Sequence, residues 1–195
     1  MNKTEENINP DAHVCPWWMA YFFDNPLRGL IHNPRKILSS WLKPGMTAVD
    51  LGCGMGFFSI GMARIVGIDG RVIAADLQQK MLDITIKRAK RAGVDGIIST
   101  YLCQSESLDI EEKIDFALAC WVVHEVPYPK QFLTEVYDML NPEGHFLMAE
   151  PSHHVSKAVM DTFVKTAQEI GFEVVEKPKM IMSRTAVLRK GRIAK

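Results

Sequence analysis

The sequence feature that most constrains the fold is a glycine-rich turn between an apolar run and a helical stretch. Residues 47–51 have the pattern of a buried strand, residues 52–56 contain three glycines, and residues 57–66 have the pattern of a helix. Open α/β sheets bind nucleotides at such a turn, because glycine lets a ligand approach the backbone and the helix start offers free N–H groups. The turn therefore predicts a nucleotide-binding α/β fold.

The rest of the chain continues this alternation of strand and helix, which is typical of a mostly parallel sheet with helices on both faces. The last two β-like runs are joined by a short connection around Pro178, which suits a hairpin. The predicted strands are residues 47–51, 72–75, 97–102, 114–119, 145–149, 172–176 and 184–189, and the predicted helices are residues 57–66, 78–92, 129–140 and 155–170.

Length and composition predict one domain. The 195 residues, of which 47% are hydrophobic, can enclose one sizeable core but not two ordinary ones. The β-rich pattern begins after Lys43, so we expect an N-terminal helical segment at residues 1–43 that belongs to the same domain as residues 44–195.

Charge and hydropathy argue against several kinds of partner. Basic and acidic residues number 23 each, so there is no general attraction to a polyanion, and nucleic acid is a disfavoured partner. The longest apolar stretches, such as residues 116–123, fall far short of the ~20 residues that span a bilayer, so we expect no membrane partner. Residues 1–11 are polar and acidic, unlike a signal peptide, and a cytoplasmic protein is expected.

The cysteines give no sign of a metal site or a disulfide framework. They stand at positions 15, 53, 103 and 120, without a Cys-x-x-Cys pair, which favours reduced thiols. His13 and Cys15 are metal ligands by type, but no second pair stands at metal-binding spacing, so no bound metal is expected.

The neighbours of the glycine turn indicate which cofactor it suits. Phe57 occupies the position of the third glycine of the dinucleotide fingerprint, and Asp50 stands two residues before the first glycine. A carboxylate repels a pyrophosphate, whereas S-adenosylmethionine (SAM) has no phosphate and carries an ammonium and a sulfonium. Asp76, at the end of the second strand, can accept from the ribose hydroxyls of either cofactor. The pattern favours SAM over NAD.

Three segments, residues 49–56, 114–126 and 140–145, resemble motifs of the class I SAM-dependent methyltransferases. The resemblance runs over about residues 38–172 and is closest to the small-molecule group that includes ubiquinone/menaquinone and arsenite methyltransferases. It implies a Rossmann-like, doubly wound, seven-stranded, mostly parallel sheet with a C-terminal antiparallel hairpin, helices on both faces and an N-terminal helical lid.

The same resemblance implies a set of SAM-binding residues. Asp50 and the loop glycines would flank the methionine part, Asp76 would hold the ribose, and the backbone carbonyl of Cys120 would accept from the ammonium. Gln104 replaces an acid that accepts from the adenine amino group in the family, and a neutral acceptor should bind it more weakly. The implied cofactor site consists of Asp50, Gly52, Gly54, Phe57, Asp76, Leu77, Met81, Gln104, Ser105 and Cys120.

The candidate catalytic residues are histidines that follow the fourth and fifth strands, namely His124 and His154, with His153 beside the latter. The carboxyl ends of these strands border the ligand crevice, and a histidine there can remove a proton from a phenol, enol or thiol. A base is optional, because SAM is already activated and the protein mainly aligns the acceptor. These histidines can equally be hydrogen-bonded loop residues, and Glu125 and Glu150 can act as bases or cap loops.

The family's lid lies over the cleft, so Trp17, Trp18 and Tyr21 could wall an apolar or planar substrate. They could equally pack their helix onto the sheet. Residues 119–122 lack the Asn/Asp-Pro-Pro-aromatic motif with which many nucleic-acid amino methyltransferases grip a base. Arsenite methylation would need several converging thiolates, and the scattered cysteines give no reason to expect them.

The sequence thus predicts a SAM-dependent methyltransferase that acts on a small hydrophobic or aromatic acceptor at oxygen, sulfur or carbon. Two alternatives remain at this point: a SAM-binding regulatory protein without turnover and, less favoured, a nicotinamide oxidoreductase. The oligomeric state stays open.

Overall fold

The computed structural model describes residues 28–191, so the predicted lid residues Trp17, Trp18 and Tyr21 lie outside the described part of the chain. Within that part the helices are α1 (Arg28–Ile31), α2 (Pro34–Leu38), α3 (Phe57–Val66), α4 (Gln79–Ala92), α5 (Pro129–Met139) and α6 (Lys157–Ile170), and a 3₁₀ turn spans Val123–Glu125. The strands are β1 (Thr47–Leu51), β2 (Arg71–Asp76), β3 (Ile98–Leu102), β4 (Ile114–Cys120), β5 (Leu140–Pro151), β6 (Phe172–Glu176) and β7 (Ser183–Lys190).

The strands form one seven-stranded sheet in the order β3-β2-β1-β4-β5-β7-β6. β1 pairs in parallel with β2 and β4, whereas β7 runs antiparallel to both β5 and β6. The chain therefore winds outward from β1 in one direction and then from β4 in the other. The predicted doubly wound, seven-stranded sheet with a C-terminal antiparallel pair is confirmed.

The sheet is covered on both faces, and each face has its own hydrophobic core. On one face, side chains of α5 and α6 such as Leu133 and Val164 pack against Val49 and Leu51 of β1. On the other, side chains of α3 and α4 such as Met62 and Leu82 pack with Ala48 of β1, the residue before Val49. Strands buried on both faces read as continuous apolar runs, which is how β1, β2 and β4 appear in the sequence.

Two of the element boundaries that differ from the sequence-based expectations have clear local reasons. β5 begins at Leu140 rather than His145, because residues 141–144 continue the strand through a register shift opposite β4 instead of forming a separate turn. α6 begins at Lys157 rather than Val155, because the side chain of Ser156 accepts from the backbone N–H of Val159 and caps the helix.

The last part of the predicted N-terminal segment belongs to the core. Leu38 and Leu42 are fully buried, and α2 packs so closely on α3 that a Cβ at Gly61 would stand 2.3 Å from Pro34. Residues 34–42 therefore anchor the chain to the sheet domain, and a lid over the cleft would have to come from residues before them. Within residues 28–191, no helix combines the length and apolar character that crossing a membrane requires.

Candidate functional site

A cleft opens at the carboxyl ends of β1, β2 and β4, where the winding of the sheet reverses. Open α/β sheets bind ligands at this switch point, because the loops that leave the two halves diverge there. The cleft is lined by Leu51, Gly52, Gly54, Asp76, Leu77, Gln78, Met81, Cys103, Gln104, Ser105, Glu106, Ser107, Leu108, Trp121, Val122, Glu125, Val126, Pro127, Tyr128, Phe132 and Glu135.

The glycine turn between β1 and α3 bends with three residues in the left-handed region, Gly52, Gly54 and Gly56, at φ values of 66°, 54° and 78°. A Cβ at Gly52 would stand 2.4 Å from Val122, and one at Gly56 would stand 2.7 Å from Thr85, so both glycines allow close packing within the protein. A Cβ at Gly54 would meet nothing within 4 Å. Gly54 therefore presents bare backbone to the cleft, which is what a closely bound ligand requires.

Asp76, the last residue of β2, faces the glycine turn. One carboxylate oxygen accepts from the backbone N–H of Gly54 at 2.9 Å, and the other accepts from the backbone N–H of Gln78 at 2.9 Å. Burial raises the pKa of Asp76, and the backbone donors of Gln78 and Gly54 only partly offset this. Each oxygen keeps a lone pair for a ligand hydroxyl, as the predicted ribose role requires.

Asp50 is buried, with only 2% of its surface exposed, and its carboxylate accepts from the Ser59 hydroxyl at 2.5 Å. It is not among the residues that line the cleft. Its negative charge lies beneath the glycine turn, where it is one of the charges that raise the pKa of the Cys53 thiol.

The predicted adenine residues lie together along one wall of the cleft. Leu77 is 38% exposed, whereas Met81 is buried, and both line the cleft beside Gln104 and Ser105. The backbone N–H of Gln104 donates to the carbonyl of Ser107, so the loop after β3 is closed on itself and leaves the amide side chain exposed. The structure thus brings together the residues that the sequence assigned to the adenosine part.

Besides Asp50, two more of the predicted cofactor residues do not line this cleft. Phe57 begins α3, stacks edge-on against Phe58 with ring centroids 5.2 Å apart, and contacts the core on the α3 side of the sheet. Its ring instead lines a groove between α2 and α3, because the helix start turns it away from the strand ends. The Cys120 side chain also packs against the core on that face, so only the backbone of Cys120 remains available for the role expected of it.

A histidine and a glutamate pair at the ends of β4 and β5, which are neighbours in the sheet. Nδ1 of His124 is hydrogen-bonded to one carboxylate oxygen of Glu150, whose other oxygen accepts from the backbone N–H groups of Val122 at 3.3 Å and Val123 at 2.9 Å. Because a carboxylate only accepts, Nδ1 is the donor and Nε2 is the basic nitrogen. Nε2 lies 4.0 Å from a carboxylate oxygen of Glu125, which lines the cleft.

The electrostatics of this pair make the His124 imidazole more basic. Burial lowers the pKa of His124, but the hydrogen bond to Glu150 and the charges of Glu150 and Glu125 outweigh it, so the pKa of His124 lies above its ordinary value. The Glu150 side chain is fully buried, whereas the His124 side chain keeps 15% of its surface exposed. Glu150 thus orients His124 and raises its pKa, and His124 lies next to Glu125 of the cleft without itself being among the residues that line it.

The other two candidate histidines are exposed and lie beside these groups. The ring of His154 packs edge-on against His124, with centroids 5.1 Å apart, and the ring of His153 packs against Trp121 at 6.3 Å. The structure therefore brings His124 and His154 together and makes His124 the one with a buried carboxylate partner.

The described cysteines are free thiols. Burial, with help from Asp50 and Asp76, raises the pKa of Cys53 well above its ordinary value, and burial likewise raises the pKa of Cys103 to about 12. Both are therefore protonated, poorly nucleophilic groups. Across residues 28–191, no group of three or more side chains is arranged to hold a metal ion.

Several cleft residues in the loop between β4 and α5 were not assigned from the sequence, notably Trp121, Val126 and Tyr128. They lie in or beside the loop that follows the predicted fourth strand, and the rule that ligands bind at the carboxyl ends of such strands could have singled them out. Their side-chain directions depend on the loop conformation, which sequence pattern does not specify.

Comparison with known proteins places this site in a family context. The chain is similar to a demethylmenaquinone methyltransferase of Lactobacillus johnsonii, with 30% identity over 130 residues that cover 64% of this chain and 52% of the relative. It is also similar to a ubiquinone/menaquinone biosynthesis C-methyltransferase of Vibrio vulnificus, with 28% identity over 142 residues that cover 72% of this chain and 52% of the relative. The chain spans about half the length of these curated relatives.

The same fold occurs among solved structures. A SAM-dependent methyltransferase from Aquifex aeolicus superposes with a TM-score of 0.79 at 20% identity, covering 90% of this chain and 98% of that one. Residues 42–190 match the family described as a methyltransferase domain, so the match includes every strand of the sheet and the whole cleft. The resemblance drawn from the sequence is confirmed, and the chain belongs to the methyltransferase domain family.

Proposed function

We propose that this protein transfers the methyl group of SAM to a small acceptor that carries an acidic O–H, such as a phenol or hydroquinone. SAM supplies a methyl group already activated on a sulfonium. The observation that carries the choice of acceptor is the His124–Glu150 pair at the strand ends that border the cleft. The names of the two quinone-pathway relatives support an acceptor of this kind.

The residues of the cleft fit SAM in shape and charge. Gly54 offers open backbone, Asp76 keeps acceptor capacity for ribose hydroxyls, and Leu77 and Met81 provide apolar surface for a flat base. The buried charge of Asp50 suits a cationic ligand and would repel a pyrophosphate. This charge pattern, together with the family, favours SAM over a nicotinamide cofactor.

The protein's own chemical contribution is proton removal and alignment. Nε2 of His124 takes the proton of the acceptor hydroxyl, and the phenolate oxygen, or the ring carbon next to it, becomes the nucleophile. Glu150 holds Nδ1 and stabilises the imidazolium that forms, while its own lone pairs are satisfied by two backbone N–H groups. Glu150 is therefore a positioning residue and His124 the catalytic one.

The pH dependence of the reaction tests this assignment. Because the pKa of His124 is raised, kcat/KM should increase with pH and level off only above the ordinary range of a histidine. Glu150→Gln removes a negative charge, so it should move this rise to lower pH and reduce kcat. His124→Asn should lower kcat by about 100-fold or more, with SAM affinity retained.

His154→Asn is the matched control, because His154 stands beside His124 but is exposed. It should leave the position of the pH profile unchanged. If His154→Asn rather than His124→Asn changed the rise of kcat/KM with pH, His154 would be the base. A protein that binds SAM but transfers methyl to no acceptor at any pH would instead support the regulatory alternative.

A further inference from the structure

Trp121 directly follows β4 and holds an uncommon backbone conformation. Its φ is 64°, in the left-handed region that favours glycine, and its side chain lines the cleft. A bulky residue at positive φ is an outlier that persists only where the surroundings hold it, and such residues cluster at ligand sites. Glycine would take this φ without strain, so the conformation alone gives no reason for an indole here.

Contacts with described residues fix the indole in place. The backbone N–H of Trp121 donates to the carbonyl of Ala149 at 2.7 Å, and the indole N–H donates to the hydroxyl of Ser183 at 2.9 Å. The rings of His32 and His153 pack edge-on against it, with centroids 6.0 and 6.3 Å away. Strand β7, the loop after β5 and the start of the described chain thus all position one ring beside the cleft.

The charge of the cleft limits what this ring can meet. Four of the residues that line the cleft are acidic, Asp76, Glu106, Glu125 and Glu135, and no described lining residue is a lysine or an arginine. An acceptor with its own carboxylate or phosphate would be repelled by these carboxylates and would find no lysine or arginine among the described lining residues. A planar ring without charge meets neither obstacle and can stack on an indole.

We propose that Trp121 determines the acceptor specificity of the cleft, as a fixed wall against which a planar, uncharged hydroxylated ring packs. This inference rests on the proposed function and adds the charge and shape of the acceptor. Ser183 acts through Trp121 as a positioning residue, because its hydroxyl holds the indole N–H.

The test compares two rings that differ by one carboxylate, 1,4-naphthohydroquinone and 1,4-dihydroxy-2-naphthoate. Binding of each is measured anaerobically by calorimetry on the full chain saturated with S-adenosylhomocysteine, whose own affinity is measured first. The wild-type protein should bind the uncharged ring about tenfold or more tightly than the carboxylate.

Trp121→Ala should weaken binding of the uncharged ring by about tenfold or more and leave S-adenosylhomocysteine affinity within about twofold. Ser183→Ala should cause a smaller loss of the same kind. Trp41→Ala is the matched control, since Trp41 is a partly buried indole in the core by α2 and should change neither affinity.

Backbone strain gives a second readout. The Trp121→Gly protein should unfold at a higher denaturant concentration than the Trp121→Ala protein, because both lack the ring and only alanine keeps the strained φ. Equal midpoints would overturn the strain argument.

The specificity role would be overturned if Trp121→Ala bound the uncharged ring as tightly as the wild type does, or if it lost affinity for the ring and for S-adenosylhomocysteine equally. It would also be overturned if the wild-type protein bound S-adenosylhomocysteine but preferred the carboxylate or bound neither ring. Failure of the wild type to bind S-adenosylhomocysteine would contradict the proposed function itself.

Discussion

Gly54 and Gly93 share a backbone conformation but differ in their surroundings. Both have left-handed φ values, 54° and 69°, and a Cβ at either would meet no protein atom within 4 Å. Gly54 faces the cleft, whereas Gly93 ends α4 as its C-cap. A substitution by alanine should therefore strain both backbones equally, by about 1–2 kcal/mol, and only one of them should affect a ligand.

Gly54→Ala should accordingly weaken SAM binding by about 1–3 kcal/mol, because the added methyl group occupies the close approach between loop and ligand. Gly93→Ala should lower the free energy of unfolding to a similar extent and leave SAM affinity unchanged. Calorimetry and denaturant unfolding on both proteins separate the two effects. Full affinity in a folded Gly54→Ala protein would show that the turn does not touch the cofactor.

Asp76 should make cofactor binding sensitive to acid. Its pKa is raised by burial, and only the ionised carboxylate keeps all of its acceptor capacity for hydroxyl groups. SAM affinity should therefore be constant near neutral pH and should fall as the pH is lowered. The fall should begin at a higher pH than the ordinary pKa of an aspartate would give. Asp76→Asn should weaken binding by about 1–3 kcal/mol at neutral pH and remove this dependence. An unchanged affinity in the Asn variant would mean that Asp76 does not hold the ribose.

The sequence pattern predicted the positions of some site residues and not of others, and the difference has physical reasons. Gly54 and Asp76 follow strands directly, so their place at the strand ends follows from topology alone. Phe57 lies outside the cleft, because it stands one residue past the turn and the helix start turns its ring toward the groove between α2 and α3. Glu150 could not be preferred to Glu125 from the sequence, because its pairing with His124 depends on β4 and β5 being neighbours in the sheet.

At the scale of elements, strand and helix positions were accurate where periodicity is strong. α3 and β6 begin and end at the residues that the sequence predicted. β5 was predicted too short, because residues 141–144 carry Pro142 and Gly144, which read as a turn but are accommodated in a strand with a register shift. Local residue preferences indicate a turn there, and only the pairing with β4 decides otherwise.

The N-terminal element enters the described structure beside the cleft. α1 ends at Ile31, and the next residue, His32, is hydrogen-bonded to the carbonyl of Ile181 at 2.8 Å and packs against Trp121. The described chain therefore begins beside residues of the proposed acceptor site. The lid that the sequence predicts lies outside the described residues and stays a prediction.

Removing residues 1–27 should consequently separate cofactor binding from turnover. SAM affinity should stay within about twofold, because the cofactor residues lie between Asp50 and Cys120. Methyl transfer should fall by about tenfold to a hundredfold, because acceptor alignment and water exclusion are lost. Removing residues 192–195 is the control and should change neither. Unchanged turnover in the N-terminal truncation would show that the segment is not a lid, and lost SAM binding in a folded truncation would make it part of the cofactor site.

At the scale of the whole molecule, the site follows from how the sheet is wound. The reversal of winding between β1 and β4 creates the cleft, and the antiparallel β7 brings Ser183 next to the end of β4, where its hydroxyl meets Trp121. The cofactor half of the cleft is built by consecutive strand-to-helix turns and could be predicted. The acceptor half depends on the loop after β4 and on the contacts of Trp121 with His32 and Ser183, which are distant in sequence, so it could not be predicted.

The proposed methyl transfer from SAM to a hydroxylated aromatic ring can be followed directly with a labelled methyl group. The protein is incubated anaerobically with methyl-labelled SAM and 1,4-naphthohydroquinone, and the label in the extracted acceptor is counted over time. Labelled acceptor should accumulate with the wild-type protein, and about 100-fold less should accumulate with His124→Asn at equal SAM occupancy. A folded wild-type protein that binds SAM and leaves naphthohydroquinone and simple phenols unlabelled across the pH range would contradict the proposed function.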